Sequence, residues 1–132
     1  MHEIRGDVGP SDVAAYESDG VVLLRGLVSD DEAQALCDVL DDSRQAPGAF
    51  SGVMGEAGGW TLKFLWQSQP AVRAVAIQSK LSKAVADLLR SNTTNLLYDH
   101  TCVKEPGDTA PTLWHHDINY LPAHAGRAVW GA

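Results

Sequence analysis

Leu113-Trp114-His115-His116-Asp117-Ile118-Asn119-Tyr120-Leu121-Pro122 is the stretch from which the rest of the chain is best read. In extended backbone, residues two apart point to the same side. His115 and Asp117 therefore converge, while His116 turns the other way. An imidazole and a carboxylate together suit a borderline-to-hard divalent ion. With a second histidine they would form the 2-His-1-carboxylate triad of non-heme iron(II) oxygenases, which leaves three positions open. His-x-Asp also arises by chance, and by spacing alone the pair is either a metal site or an incidental neighbourhood. Its setting favours the first reading, because Trp114 and Tyr120 flank it as candidate pocket walls. His116 reads as an orienting or packing residue, His124 as a surface-loop residue, and His2 as part of a frayed terminus.

Outward from that stretch, the bulk numbers bound the answer. A length of 132 residues suits one domain, and 45% hydrophobic with 20% charged residues is the balance of an ordinary globular protein. The net charge of −7 comes without a Lys/Arg stripe, which argues against nucleic acid and anionic membrane as partners. It also weighs mildly against a heavily phosphorylated substrate. Cys37 and Cys102 stand far apart and outside any C-x-x-C spacing, so two packed thiols in a reducing cytosol are expected, with a disulfide as the alternative. The first residues lack the apolar run of a signal peptide, and no stretch approaches the ~20 apolar residues of a membrane span. The expected location is the cytoplasm.

Local patterns give the elements. Val21-Val22-Leu23-Leu24 after Asp19-Gly20 reads as a buried strand. Ser29 with Glu32 three residues on is a capping box. Ala33, Leu36, Cys37 and Leu40 then fall at helical spacing, predicting a helix over about 30–42 with Cys37 packed in the core. Residues 44–60 are rich in Gly, Ala and Ser and read as one long loop. Pro70 starts a short helix to about residue 77, and a second carries Leu81, Val85, Leu88 and Leu89 on one side. After a turn at 92–95, residues 96–103 read as a strand, followed by a loop marked by Pro106, Gly107 and Pro111. A last strand begins near Arg127 with Ala128-Val129-Trp130. A strand starting at the terminus would leave an unpaired apolar edge, so a truncated sequence is expected.

Four segments in order resemble the phytanoyl-CoA dioxygenase family of iron(II)- and 2-oxoglutarate-dependent oxygenases, across nearly the whole length. Residues Asp19 to Ser29 resemble the family's opening D-G-[YF]-hydrophobic-R-G strand. Val103-Lys104-Glu105-Pro106-Gly107 resembles its K-x-P-G turn. Trp114-His115-His116-Asp117 with Tyr120 and Pro122 resembles its W-H-x-D-x-x-Y-x-P metal motif. Ala128-Val129-Trp130-Gly131-Ala132 resembles the start of its V-W-hydrophobic-A-L strand.

The resemblance implies an α+β fold: a partial double-stranded β-helix (a cupin-like jelly-roll) with flanking N-terminal helices. Residues 1–132 would be the N-terminal portion of one oxygenase domain. It implies His115 and Asp117 as the first two Fe(II) ligands. Lys63, His100 and Trp130 match the positions that line the 2-oxoglutarate cosubstrate, although His100 stands where an apolar residue is the family's habit. From the residues themselves Lys63 is a surface lysine and Trp130 a core aromatic. Tyr98 and Lys104 read as structural. The implied reaction is hydroxylation of a small organic substrate at a C–H bond by dioxygen, with 2-oxoglutarate decarboxylated to succinate, and the 44–60 loop is expected to help cover the substrate.

The family's third ligand, a downstream histidine, and the arginine that clamps the distal carboxylate are not in this sequence. The expectation is therefore a chain that holds iron weakly and is not a competent oxygenase by itself. Two alternatives stand beside it: a truncated or degenerate relative kept as a binding or interaction domain, and a metal-dependent hydrolase or cupin-like isomerase that does not use dioxygen.

Overall fold

The computed structural model describes residues 7–45, 51–54, 59–107 and 111–115. Helix α1 spans Pro10–Asp19 and α2 spans Asp30–Gln45; strands β1 and β2 span Ser51–Met54 and Gly59–Lys63. Two short helices follow, α3 over Leu65–Ser68 and α4 over Pro70–Arg73, the latter continuing as a π-helical turn over Ala74–Gln78. Helix α5 spans Lys80–Leu89 and strand β3 spans His100–Val103. The three strands form one antiparallel sheet in the order β1-β2-β3. The α+β character is thus present as a helical layer and a small antiparallel sheet.

Helix α1 was not anticipated, and its sequence shows why. It buries no side chain, so it lacks the apolar stripe that announces a helix. Its ends carry the signal instead. The Gly9 N–H donates to Asp12 Oδ2 at 2.8 Å, Pro10 occupies the first turn, and Gly20 closes the helix at φ 74°. Helix α2 starts as the capping box predicts. The Ser29 N–H donates to Glu32 Oε2 (2.8 Å) and the Glu32 N–H donates back to Ser29 Oγ (3.2 Å). It runs three residues past the expected end.

Two expectations about packing fail. Residues 21–25 are neither helix nor laddered strand. They are extended in burial pattern, with Val22 and Leu24 half-buried while Val21 and Leu23 are 70% and 71% exposed. The period-2 alternation is real, but no ladder pairs the segment among the described residues. Cys37 lies on α2 yet is exposed rather than packed, and both cysteines are free.

Among the described residues the buried core consists of Leu62 of β2, Leu65 of α3, Val75 of the π turn, and Ala84 and Leu88 of α5. Helix α1 packs on α5 and α2 on α4. Helix α5 is capped by Ser79, whose Oγ accepts from the Leu81 N–H, and it ends at Arg90 in the left-handed region (φ 50°). Arg90 also reaches Glu17 of α1 at 2.8 Å, tying the two helices. Arg44 at the end of α2 pairs with Glu105 at 2.8 Å, and the same carboxylate oxygen accepts the Trp60 indole N–H at 3.1 Å. One side chain therefore joins α2, β2 and the segment after β3.

The stretch read as a loop over 44–60 departs most. Its first residues finish α2, and its latter part holds β1 and the start of β2, with Ser51 opposite Leu62 and Met54 opposite Gly59. Glycines at 52 and 59 masked the strand pattern, because strand propensity is low for glycine and context supplies the pairing. The expected strand over 96–103 is laddered only from His100 onward.

Candidate functional site

Strands β2 and β3 meet with Thr61 opposite Cys102 and Lys63 opposite His100. Direct partners share a face of the sheet, and so do residues two apart. Thr61, Lys63, His100 and Cys102 therefore form one polar face. The opposite face carries Leu62, buried at 3% exposure, and its partner Thr101. Binary alternation thus gives an apolar side for the core and a polar side for chemistry.

The register is fixed by the corner that follows Lys63. Phe64 takes the left-handed conformation at φ 58°, rare for a bulky residue and costly by roughly 1–2 kcal/mol. Two contacts of its own hold it there. Its N–H donates to the Asp99 carbonyl at 3.2 Å, and its ring meets Tyr98 edge-on at 5.1 Å. The Asp99 carboxylate then accepts the Leu65 and Trp66 N–H groups at 3.0 and 3.2 Å, capping α3 from across the sheet. Asp99 immediately precedes His100, so the cap that stops β2 also sets β3 beside it.

On the polar face, His100 Nε2 contacts Thr61 Oγ1 and lies 3.4 Å from Cys102 Sγ. The Tyr98 ring lies 5.6 Å from the His100 ring. Burial first, then Cys102 and Asp99, raise the Tyr98 phenol above its ordinary value. Lys63 is half-buried, and His100 and Cys102 are exposed.

His115 closes the described segment 111–115. Its Nδ1 lies 2.6 Å from the Leu113 carbonyl oxygen, which can only accept, so Nδ1 carries the proton. Trp114, expected to wall a pocket, is fully exposed instead. Asp117 and Trp130 lie outside the described residues, as do His116, Tyr120, Pro122, His124 and the strand expected from Arg127. Among the described residues no group of three or more His, Cys, Asp or Glu side chains is arranged to hold a metal.

The Glu105-Pro106-Gly107 turn forms as its sequence implies, Pro106 preceding Gly107 at φ 91°. The structure thus sets Lys63 opposite His100 in the β2–β3 ladder. Thr61, which the sequence did not single out, and Cys102, expected as a packed thiol but exposed, share that face. Alternation over 59–63 would have exposed Thr61, had the glycine-rich stretch been read as a strand.

The family model for phytanoyl-CoA dioxygenase matches residues 16–132, and the chain belongs to that family. Its members depend in general on Fe(II) and 2-oxoglutarate. No curated protein and no solved structure matches the chain significantly. Among the described residues no helix is long and apolar enough to cross a membrane.

Proposed function

We propose that residues 1–132 form the N-terminal portion of a single dioxygenase domain with a double-stranded β-helix core, acting in the cytoplasm on a small organic substrate. His115 and Asp117 are its first two Fe(II) ligands, and Lys63, His100 and Trp130 line the 2-oxoglutarate site. Dioxygen is the co-reactant; neither nucleic acid nor membrane is a partner. The observation that carries this reading is the register of Lys63 with His100: two positions assigned separately to the cosubstrate stand directly opposite each other on one polar face.

The donor chemistry fits both groups. His115 offers an imidazole, and the sequence sets the Asp117 carboxylate two residues on, a donor pair that suits a borderline-to-hard divalent cation. The Lys63 ammonium offers a point charge to a dicarboxylate, while the His100 imidazole can donate or accept at the same surface. Bound iron and 2-oxoglutarate would supply the oxidising power for C–H hydroxylation. The chain's own residues orient the pair of ligands, neutralise carboxylate charge and, through Asp99 and Phe64, hold the lysine in place.

The test is calorimetric titration of the purified chain with Mn(II), an oxygen-stable stand-in for Fe(II), with and without 2-oxoglutarate. Weak saturable binding that 2-oxoglutarate tightens, and that His115→Ala and Asp117→Ala each abolish, is the expected result. Binding unchanged in both variants would sink the assignment.

A further inference from the structure

Thr61 stands on β2, the central strand of the sheet, with Gly52 opposite it on β1 and Cys102 opposite it on β3. Gly52 brings no side chain to that neighbourhood. Diagonally across the ladder, Thr61 Oγ1 contacts His100 Nε2. A β-branched side chain is stiff at χ1, so on a strand paired on both sides this hydroxyl is a fixed point. His100 is the opposite case. Its strand is paired only with β2 among the described residues, and its side chain is exposed. An exposed imidazole left to itself samples several rotamers and both neutral tautomers. A hydroxyl on one ring nitrogen selects a single ring orientation and a single tautomer.

We propose that Thr61 is a positioning residue for the cosubstrate: its hydroxyl holds the His100 ring in the orientation that receives a 2-oxoglutarate carboxylate beside Lys63. This rests on the reading that Lys63 and His100 line that site. His100 has Lys63 as its direct partner and Thr61 as its diagonal neighbour, so the two β2 residues bracket the ring. Thr61 acts through His100 and makes no contact of its own with the cosubstrate. It settles before binding the ring freedom that would otherwise be lost on binding, so affinity rises by preorganisation.

Thr61→Val keeps the β-branched shape and removes the hydroxyl, while Thr61→Ser keeps the hydroxyl and removes the branch. The full chain is titrated calorimetrically with 2-oxoglutarate at saturating Mn(II), and the His100 ring nitrogens are followed by proton–nitrogen NMR with the imidazole neutral. Thr61→Val is expected to bind 2-oxoglutarate roughly 3- to 10-fold more weakly, the scale of one immobilised side chain, with Mn(II) affinity in its absence unchanged. Its His100 nitrogens are expected to average between tautomers where the parent shows one. Thr61→Ser is expected to recover most of the affinity and the single tautomer, which a role confined to packing of the threonine methyl would not give. Parent-like 2-oxoglutarate binding in Thr61→Val, with Lys63→Gln weakened, overturns the positioning role and leaves the cosubstrate site standing. Equal losses in the valine and serine variants overturn it too. A parent chain that binds no 2-oxoglutarate overturns the site and the positioning role together.

Discussion

Asp99 caps a helix that begins two residues after Lys63, and the residue after Asp99 is the one that pairs with Lys63. The carboxylate accepts the Leu65 and Trp66 N–H groups, while His100 stands opposite Lys63 in the β2–β3 ladder. Local capping and cross-strand register are therefore one device. It places Lys63 and His100 directly opposite each other on the face turned away from Leu62.

Asp99→Ala leaves two N–H groups of α3 without their acceptor. Loss of a capping side chain typically lowers stability by about 1 kcal/mol, up to about 2. We expect a drop in that range by urea denaturation, with Asp99→Asn, which still offers one oxygen, losing less. A variant as stable as the parent would mean that α3 is held by its core contacts through Leu65 alone.

The capping box of α2 gives a pH dependence whose sign is set by Glu32. Hydrogen bonding from the Ser29 backbone N–H, then from its hydroxyl, holds the Glu32 carboxyl below its ordinary value. A carboxyl depressed in the folded state stabilises above its unfolded pKa, and that contribution disappears as pH falls through the folded value. Helix content at 222 nm should thus decline on acidification below about pH 4.5. Glu32→Gln should remove this component of the decline, and a pH profile identical to the parent's would count against it.

Leu88 is 4% exposed and lies where α5 turns its apolar side inward. Leu88→Ala should lower stability by about 2–4 kcal/mol through lost burial and a residual cavity. In a core of five buried apolar side chains among the described residues, that is a large share of the total. Chemical denaturation would reveal it as a lower midpoint, or as a chain already unfolded without denaturant.

Glu105 joins Arg44 and Trp60, so its removal should act on two elements at once. The Arg44 pair is exposed and contributes little, at most ~1 kcal/mol. The half-buried indole bond matters at a similar level, about 1 kcal/mol. Glu105→Gln should keep the indole acceptor and lose only the ion pair. Glu105→Ala should lose both, shifting Trp60 fluorescence, and equal effects from the two substitutions would refute this division.

Elements defined by strong local chemistry were legible in the sequence. Ser29 with Glu32 marked the start of α2, and the apolar spacing through Leu81 and Leu88 marked α5. What failed depended on partners. Val21-Val22-Leu23-Leu24 has a strand's composition but no ladder among the described residues, and Cys37 has a stripe position but no cover. Strands β1 and β2 hid in glycine-rich sequence, since their pairing comes from the sheet rather than from propensity.

The site divides the same way. Lys63 and His100 were found by family resemblance; nothing in their own neighbours distinguishes Lys63 from a surface lysine. Thr61 was missed because its significance lies across the ladder, at a separation of some forty residues. His115 was found from its motif, and the proton on its Nδ1 became assignable only with the Leu113 carbonyl in place.

The most direct test of the central claim is a two-dimensional amide NMR titration of the chain with 2-oxoglutarate in the presence of diamagnetic Zn(II). Concentrated shift changes at Thr61 to Phe64 and at Asp99 to Cys102, much reduced in Lys63→Gln, are what the account predicts. Shifts confined to other residues, or undiminished in Lys63→Gln, would contradict the assignment of this sheet face to the cosubstrate.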